Sequence, residues 1–81
     1  MPYFVYILRC VDDTLYTGIT NDVAKRLLAH QTGKGGKYTR AHTGVAIVYT
    51  EEYATKGEAL RREHSIKKLS REQKQLLFEA L

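Results

Sequence analysis

The 81-residue chain has one cysteine, one proline and no tryptophan. A single thiol, Cys10, closes no internal disulfide, and no Cys/His spacing suits a structural zinc site. Cys10 ends an apolar run, where a free thiol serves as a small buried hydrophobe rather than a nucleophile. The longest apolar run, YFVYIL, is far too short to span a bilayer. No basic segment followed by an apolar core precedes it, so no export signal is visible and a reducing cytoplasm is the expected compartment.

Acidic side chains are also missing from one long stretch. Between Val23 and Thr50 there are none, while Lys25, Arg26, Lys34, Lys37 and Arg40 are basic and His30 and His42 lie among them. The heart of that stretch, TGKGGKYTRAHTG, interleaves basic residues with glycine and tyrosine. Such a pattern suits a surface that faces a polyanion, and the net charge of +4 agrees. Nucleic acid is therefore the expected partner, and a membrane is not.

What is present is enough for one domain over residues 1–81. A chain of this size buries roughly 60% of the surface its unfolded form exposes, which sustains a single core and leaves no room for a second domain. Residues 3–10 are almost continuously apolar and read as a strand buried on both faces. VDDT reads as a turn and TLYTGI as a second strand, forming a hairpin. Tyr6 and Tyr16 share a face of that hairpin only if the connection holds an odd number of residues or a bulge, and this register is the one expected.

Asn21-Asp22 opens a helix that runs to about Gln31, with Gly33 beyond it. Val23, Ala24, Leu27 and Leu28 make its expected apolar face, flanked by Arg26 and His30 four residues apart. GVAIVYTEEY is a third strand. Thr55 with Glu58, and Ser70 with Gln73, are capping boxes that start two more helices. The order ββα-β-αα predicts an α+β fold, a three-stranded, mostly antiparallel sheet with flanking helices.

One charge stands out of pattern. On the helix from Lys56 to Leu69 the apolar positions are Ala59, Leu60 and Ile66, and the wheel places Glu63 in the middle of their stripe. A buried carboxylate needs a partner. Two readings follow: an ion pair with Arg26 or a nearby lysine, or a ligand for a hard divalent cation, since Mg²⁺ is commonly held by one carboxylate plus waters and substrate phosphate.

Tyr6, Tyr16-Thr17-Gly18, Asn21, Arg26, His30 and Glu63 together resemble the GIY-YIG nuclease superfamily. Its two named motifs stand here as Phe4-Val5-Tyr6 and Tyr16-Thr17-Gly18, and YTGITNDVAKRLLAH is similar to its small stand-alone bacterial members. The resemblance covers essentially the whole chain. It implies a divalent-metal-dependent endonuclease that hydrolyses phosphodiester bonds, with DNA favoured over RNA and a link to DNA repair or processing. By position it gives the Mg²⁺ (or Mn²⁺) to Glu63, the attacking water to Tyr6 with Tyr16 beside it, the scissile phosphate to Arg26, and a proton relay to His30. Lys34, Lys37, Arg40, Lys67 and Lys68 would then hold the nucleic acid backbone.

The chain departs from the family's pattern in three places. Phe4 replaces the first glycine, Ile19 stands where repair-enzyme relatives have a lysine, and REQKQ replaces the region of a downstream asparagine. His30 is the candidate to do the missing lysine's work. A non-catalytic nucleic-acid-binding module of the same fold is the second reading. The third is an adaptor that docks a targeting protein through LLFEAL.

Overall fold

In the computed structural model, which describes residues 1–10, 12–31 and 46–79, the sheet is built on the apolar N-terminal strand. β1 (Tyr3–Arg9) lies between β2 (Leu15–Thr20) and β3 (Ala46–Tyr53), and both pairings are antiparallel. Val5, Tyr6, Ile7 and Leu8 are all buried, as a central strand covered on both faces requires. Helices α1 (Val23–Gln31), α2 (Lys56–Lys67) and α3 (Arg71–Glu79) complete the expected α+β order.

The hairpin has the odd connection. Arg9 pairs with Leu15, leaving five residues between them, and Tyr6 pairs with Gly18. The Cys10 and Thr14 backbones close the turn, Cys10 N donating to Thr14 O at 2.9 Å, and Asp13 takes a left-handed φ of 71°. A three-residue loop ending in a left-handed residue is a favoured hairpin closure, and aspartate tolerates that conformation better than most side chains. Asp12 Oδ1 accepts from the Thr14 amide and hydroxyl, fixing the turn from inside.

Alternation then sorts the side chains. Val5 and Ile7 point to one face, where Ala59 and Ile66 of α2 complete the buried core and Leu77 and Phe78 of α3 pack against it. The pairs Tyr3–Tyr53, Val5–Glu51 and Ile7–Tyr49 place Tyr49, Glu51 and Tyr53 on that same face. Tyr6, Leu8, Tyr16 and Gly18 point the other way. The β1–β3 register shifts between Ile7 and Leu8, which pair with Tyr49 and Ile47, so Val48 is the extra residue of a bulge.

Helix starts follow the sequence closely. Asp22 caps α1 by accepting from the Lys25 amide at 3.0 Å, Thr55 caps α2, and the Ser70/Gln73 capping box forms in full. The Glu58 amide donates to Thr55 Oγ1 while the Thr55 hydroxyl meets the Glu58 carboxylate, and Ser70 and Gln73 exchange two bonds.

Two expected faces are corrected. On α1, Ala24 is exposed and Leu28 is 61% exposed, whereas His30 is fully buried. The helix is rolled toward Arg26 and His30 because their polar groups find a partner in Tyr6, which the apolar count could not register. On α2, Leu60 is 43% exposed, so the buried stripe narrows to Ala59 and Ile66. In α3, Leu77 and Phe78 are engaged with the core and Leu76 remains exposed, so most of the apolar face that an adaptor would present is already used; Leu81 lies outside the described residues. No helix among the described residues is long and apolar enough to cross a membrane.

Candidate functional site

The site is built around the hydroxyl of Tyr6. The residue is 1% exposed, and its ring leans across β2 above Gly18. Two side chains one turn apart on α1 meet the phenol there. Arg26 Nε donates to Tyr6 Oη at 3.3 Å, and Tyr6 Oη lies 3.1 Å from His30 Nε2. The i, i+4 spacing of Arg26 and His30 puts both on one side of the helix, so one hydroxyl binds both.

Donor chemistry and electrostatics favour one arrangement of the protons. A guanidinium only donates, so Tyr6 Oη is an acceptor toward Arg26. Its own hydrogen can then go to His30 Nε2 when the imidazole is neutral with its hydrogen on Nδ1. Electrostatics agree. Burial, with the Arg26 charge adding to it, lowers the His30 pKa and favours the neutral ring. Burial also raises the Tyr6 pKa against the opposing pull of Arg26, so the phenol stays protonated at neutral pH. The hydrogen bond to Tyr6 keeps Arg26 charged.

Tyr16 completes a group of three rings. Its centroid lies 6.4 Å from Tyr6 and 5.3 Å from His30, the latter edge-on at 61°. The rings of Tyr6 and His30 are 5.9 Å apart at 62°. The two pairs that include His30 place the edge of one ring against the face of the other, while Tyr6 and Tyr16 are tilted at 38°. Tyr16 is only half-buried, so it is the phenol of the pair with access to solvent. A shallow depression lined by Thr20, Asn21, Asp22, Lys25, Arg26 and Ala29 opens beside the cluster.

Glu63 is less central than the wheel suggests. Its side chain is 18% exposed and pairs with Lys67 Nζ at 3.4 Å, one turn further along α2. The partner is therefore a lysine of its own helix rather than Arg26. Its charge nonetheless reaches the Tyr6 phenol, adding to the rise in that pKa. Among the described residues no three His, Cys, Asp or Glu side chains gather as a metal site. One half-buried carboxylate beside a solvent-facing groove is still a fitting donor for Mg²⁺, which takes most of its ligands from water and phosphate. Lys67 and Lys68 are exposed, the former 54% so. Lys34, Lys37 and Arg40 lie outside the described residues.

A second polar cluster escaped the sequence reading. Glu51 accepts both Arg62 Nε at 2.9 Å and Arg62 Nη2 at 3.1 Å, and it also accepts the hydroxyls of Tyr53, at 2.6 Å, and Tyr49. Burial works to raise the Glu51 pKa, but the donors from Arg62, Tyr49 and Tyr53 outweigh it and hold the carboxyl below its usual range. The available signal was the Tyr-x-Glu-x-Tyr spacing of β3, which puts two phenols beside one carboxylate on a single sheet face.

The chain is thus a small α+β domain, a three-stranded antiparallel sheet that carries a Tyr–Arg–His cluster. Comparison gives the family: the GIY-YIG catalytic domain matches residues 2–76, and the chain belongs to it. It is 50% identical over 76 residues to a UPF0213 protein of Halobacterium salinarum, covering 94% of this chain and 99% of that one. Two solution structures are similar. The UPF0213 protein BH0048 from Bacillus halodurans matches with a TM-score of 0.63 at 44% identity, and protein EF2693 from E. faecalis with 0.66 at 35%. Each comparison covers 99% of this chain and 85% of the other. The family supports a nuclease-type function acting on nucleic acid.

Proposed function

We propose that this protein is a divalent-metal-dependent endonuclease that hydrolyses DNA phosphodiester bonds in repair or processing, with residues 1–81 forming one catalytic domain. The observation that carries this reading is the buried Tyr6 hydroxyl held between Arg26 and a neutral His30.

The cluster is arranged for proton transfer. In this reading an attacking water that reaches Tyr6 Oη past the half-buried Tyr16 loses its proton to that oxygen as the Tyr6 proton passes to His30 Nε2. The oxygen of water bonds to phosphorus, and the bond from phosphorus to the leaving oxygen breaks. The leaving oxygen then takes a proton from solvent. A phenol with a raised pKa is a poor base alone, and the neutral imidazole behind it supplies the missing acceptor. His30 thus takes the part that a lysine at position 19 would have had. Arg26, already charged and half-buried, offsets negative charge that builds on the phosphate. Tyr16 orients the substrate at the mouth of the cluster. Glu63 would hold the Mg²⁺ or Mn²⁺, and a bound cation there supplies Lewis-acid stabilisation of phosphate oxygens.

Lys67 and Lys68, with Lys34, Lys37 and Arg40, serve as phosphate contacts that position without reading sequence. Binding is then weak and strongly salt-dependent. The test is cleavage of labelled duplex, single-stranded, nicked, flapped and branched DNA, and of RNA, with Mg²⁺, Mn²⁺ or EDTA. Metal-dependent cutting by wild type that is lost in Glu63→Ala and Tyr6→Phe supports the nuclease. Chelator-resistant binding without cutting by folded protein identifies a binding module instead.

A further inference from the structure

The cluster around Glu51 has no place in the chemistry above, yet its carboxylate accepts four hydrogen bonds, from Arg62 Nε and Nη2 and from the hydroxyls of Tyr49 and Tyr53. Its carboxylate sits on the core face of the sheet, opposite Val5, with a side chain only 18% exposed. A buried carboxylate–guanidinium pair is a costly way to join a strand to a helix, since well-packed apolar residues commonly do so at no loss of stability. What an ion pair of this kind adds is direction. The two parallel bonds from Arg62 allow one orientation of the guanidinium, and the Tyr49 and Tyr53 hydroxyls hold the carboxylate from either side.

Helix α2 needs that direction. Only Ala59 and Ile66 of its twelve residues are buried, and a stripe of one methyl and one isoleucine leaves the roll of the helix about its axis weakly specified. Arg62 lies between them and immediately precedes Glu63, so the two side chains diverge by about 100° around the helix. The sheet order is β2-β1-β3, and α2 crosses all three strands. Tying Arg62 to β3 at one edge turns the neighbouring position, Glu63, toward the β2 side of the helix.

We propose that Glu51 is a positioning residue for Glu63: through the Arg62 fork it fixes the roll of α2 and so holds the Glu63 carboxylate on the β2 side of the helix, where it would bind a divalent cation. The proposal rests on the nuclease reading only for the identity of the cation. The roll itself belongs to the metal-free protein.

The experiment compares wild type with Glu51→Gln, Arg62→Lys, the apolar double variant Glu51→Leu/Arg62→Met, and Glu63→Ala. Urea unfolding selects the variants that stay folded, and the double variant covers the case in which breaking one partner alone unfolds the protein. Two readouts follow: nuclear Overhauser contacts between α2 and β2 without metal, and Mn²⁺ affinity by electron paramagnetic resonance. The expected result is a double variant as stable as wild type that has lost or averaged its α2–β2 contacts and binds Mn²⁺ at least tenfold more weakly. Arg62→Lys keeps the charge but not the fork, and is expected to lose affinity as well. Unchanged α2–β2 contacts in a folded double variant overturn the proposal, whatever the metal does. If Glu63→Ala binds Mn²⁺ as wild type does while the double variant loses its contacts, the metal assignment fails and the positioning role stands.

Discussion

The Tyr6 ring lies so close over Gly18 that a methyl group on Gly18 would come 2.5 Å from Tyr6 Oη and 2.8 Å from Cζ. The glycine of the second motif is therefore the floor on which the first motif's tyrosine rests. Because Tyr6 is tied to Arg26 and His30, it has no free direction in which to retreat. Gly18→Ala is expected to cost about 1–3 kcal/mol, the usual range for overpacking a closed site. Urea unfolding measures that cost, and the Tyr6 ring resonances report whether the His30 bond survives. A variant as stable as wild type with those resonances unmoved would show that the ring does not rest on Gly18.

Removing the hydroxyl alone separates chemistry from packing. Tyr6→Phe keeps the ring over Gly18 but leaves His30 Nε2 buried without its donor. An unsatisfied buried group costs about 1–3 kcal/mol, so the variant should fold with reduced stability. Cleavage should fall much further, by about 10²–10⁴-fold, the usual worth of positioned acid–base chemistry. Cutting that survives at wild-type rates would remove Tyr6 from the proton path.

His30 predicts an acid limb. Its folded pKa lies below the ordinary value of 6.5, first through burial and then through the Arg26 charge. The unfolded chain therefore binds the proton more readily, and stability rises with pH through this window. The contribution is in place above about pH 6.5 and disappears as pH falls through the lowered folded value. Glu51, also held below its ordinary value of 4.5, adds a second loss at lower pH. Denaturant midpoints measured against pH should show the first step in wild type and not in His30→Gln. Cleavage should be lost over the same limb, because the protonated ring accepts nothing from Tyr6.

Thr17 makes a prediction in the opposite direction. It is 4% exposed, pairs with Ile7 on the core face of the sheet, and its Oγ1 has no hydrogen-bond partner. Thr17→Val exchanges an orphaned hydroxyl for a methyl group. It should stabilise the protein by about 1 kcal/mol, since the desolvation cost of the unpaired group disappears. The Tyr6 cluster is on the other face of β2, so cleavage should not change. A lower urea midpoint in Thr17→Val would show that the hydroxyl is satisfied in solution.

Much of the architecture was legible because it is local. The strands follow from apolar runs, the helix starts from Asp22, Thr55 and Ser70, and the turn from its aspartates. The roll of the helices was not legible in the same way. Apolar counting buried Leu28 and left His30 at the margin, and the structure reverses the two because a hydrogen bond to Tyr6 offsets the cost of burying an imidazole. Glu63 stood out as a misplaced charge, but its Lys67 partner on the same helix was one of several candidates.

The sequence by itself determined the order of elements, the capped helix starts, the motif tyrosines and the family, since each depends on residues near one another in the chain or on their order along it. Only the tertiary structure decided which hydroxyl meets which imidazole, that Gly18 is the surface beneath Tyr6, and that Glu51 holds Arg62. Those contacts join residues 24, 12 and 11 positions apart in the chain, and no local propensity carries information about them. They exist because strand register and helix roll bring the groups within hydrogen-bond and van der Waals reach.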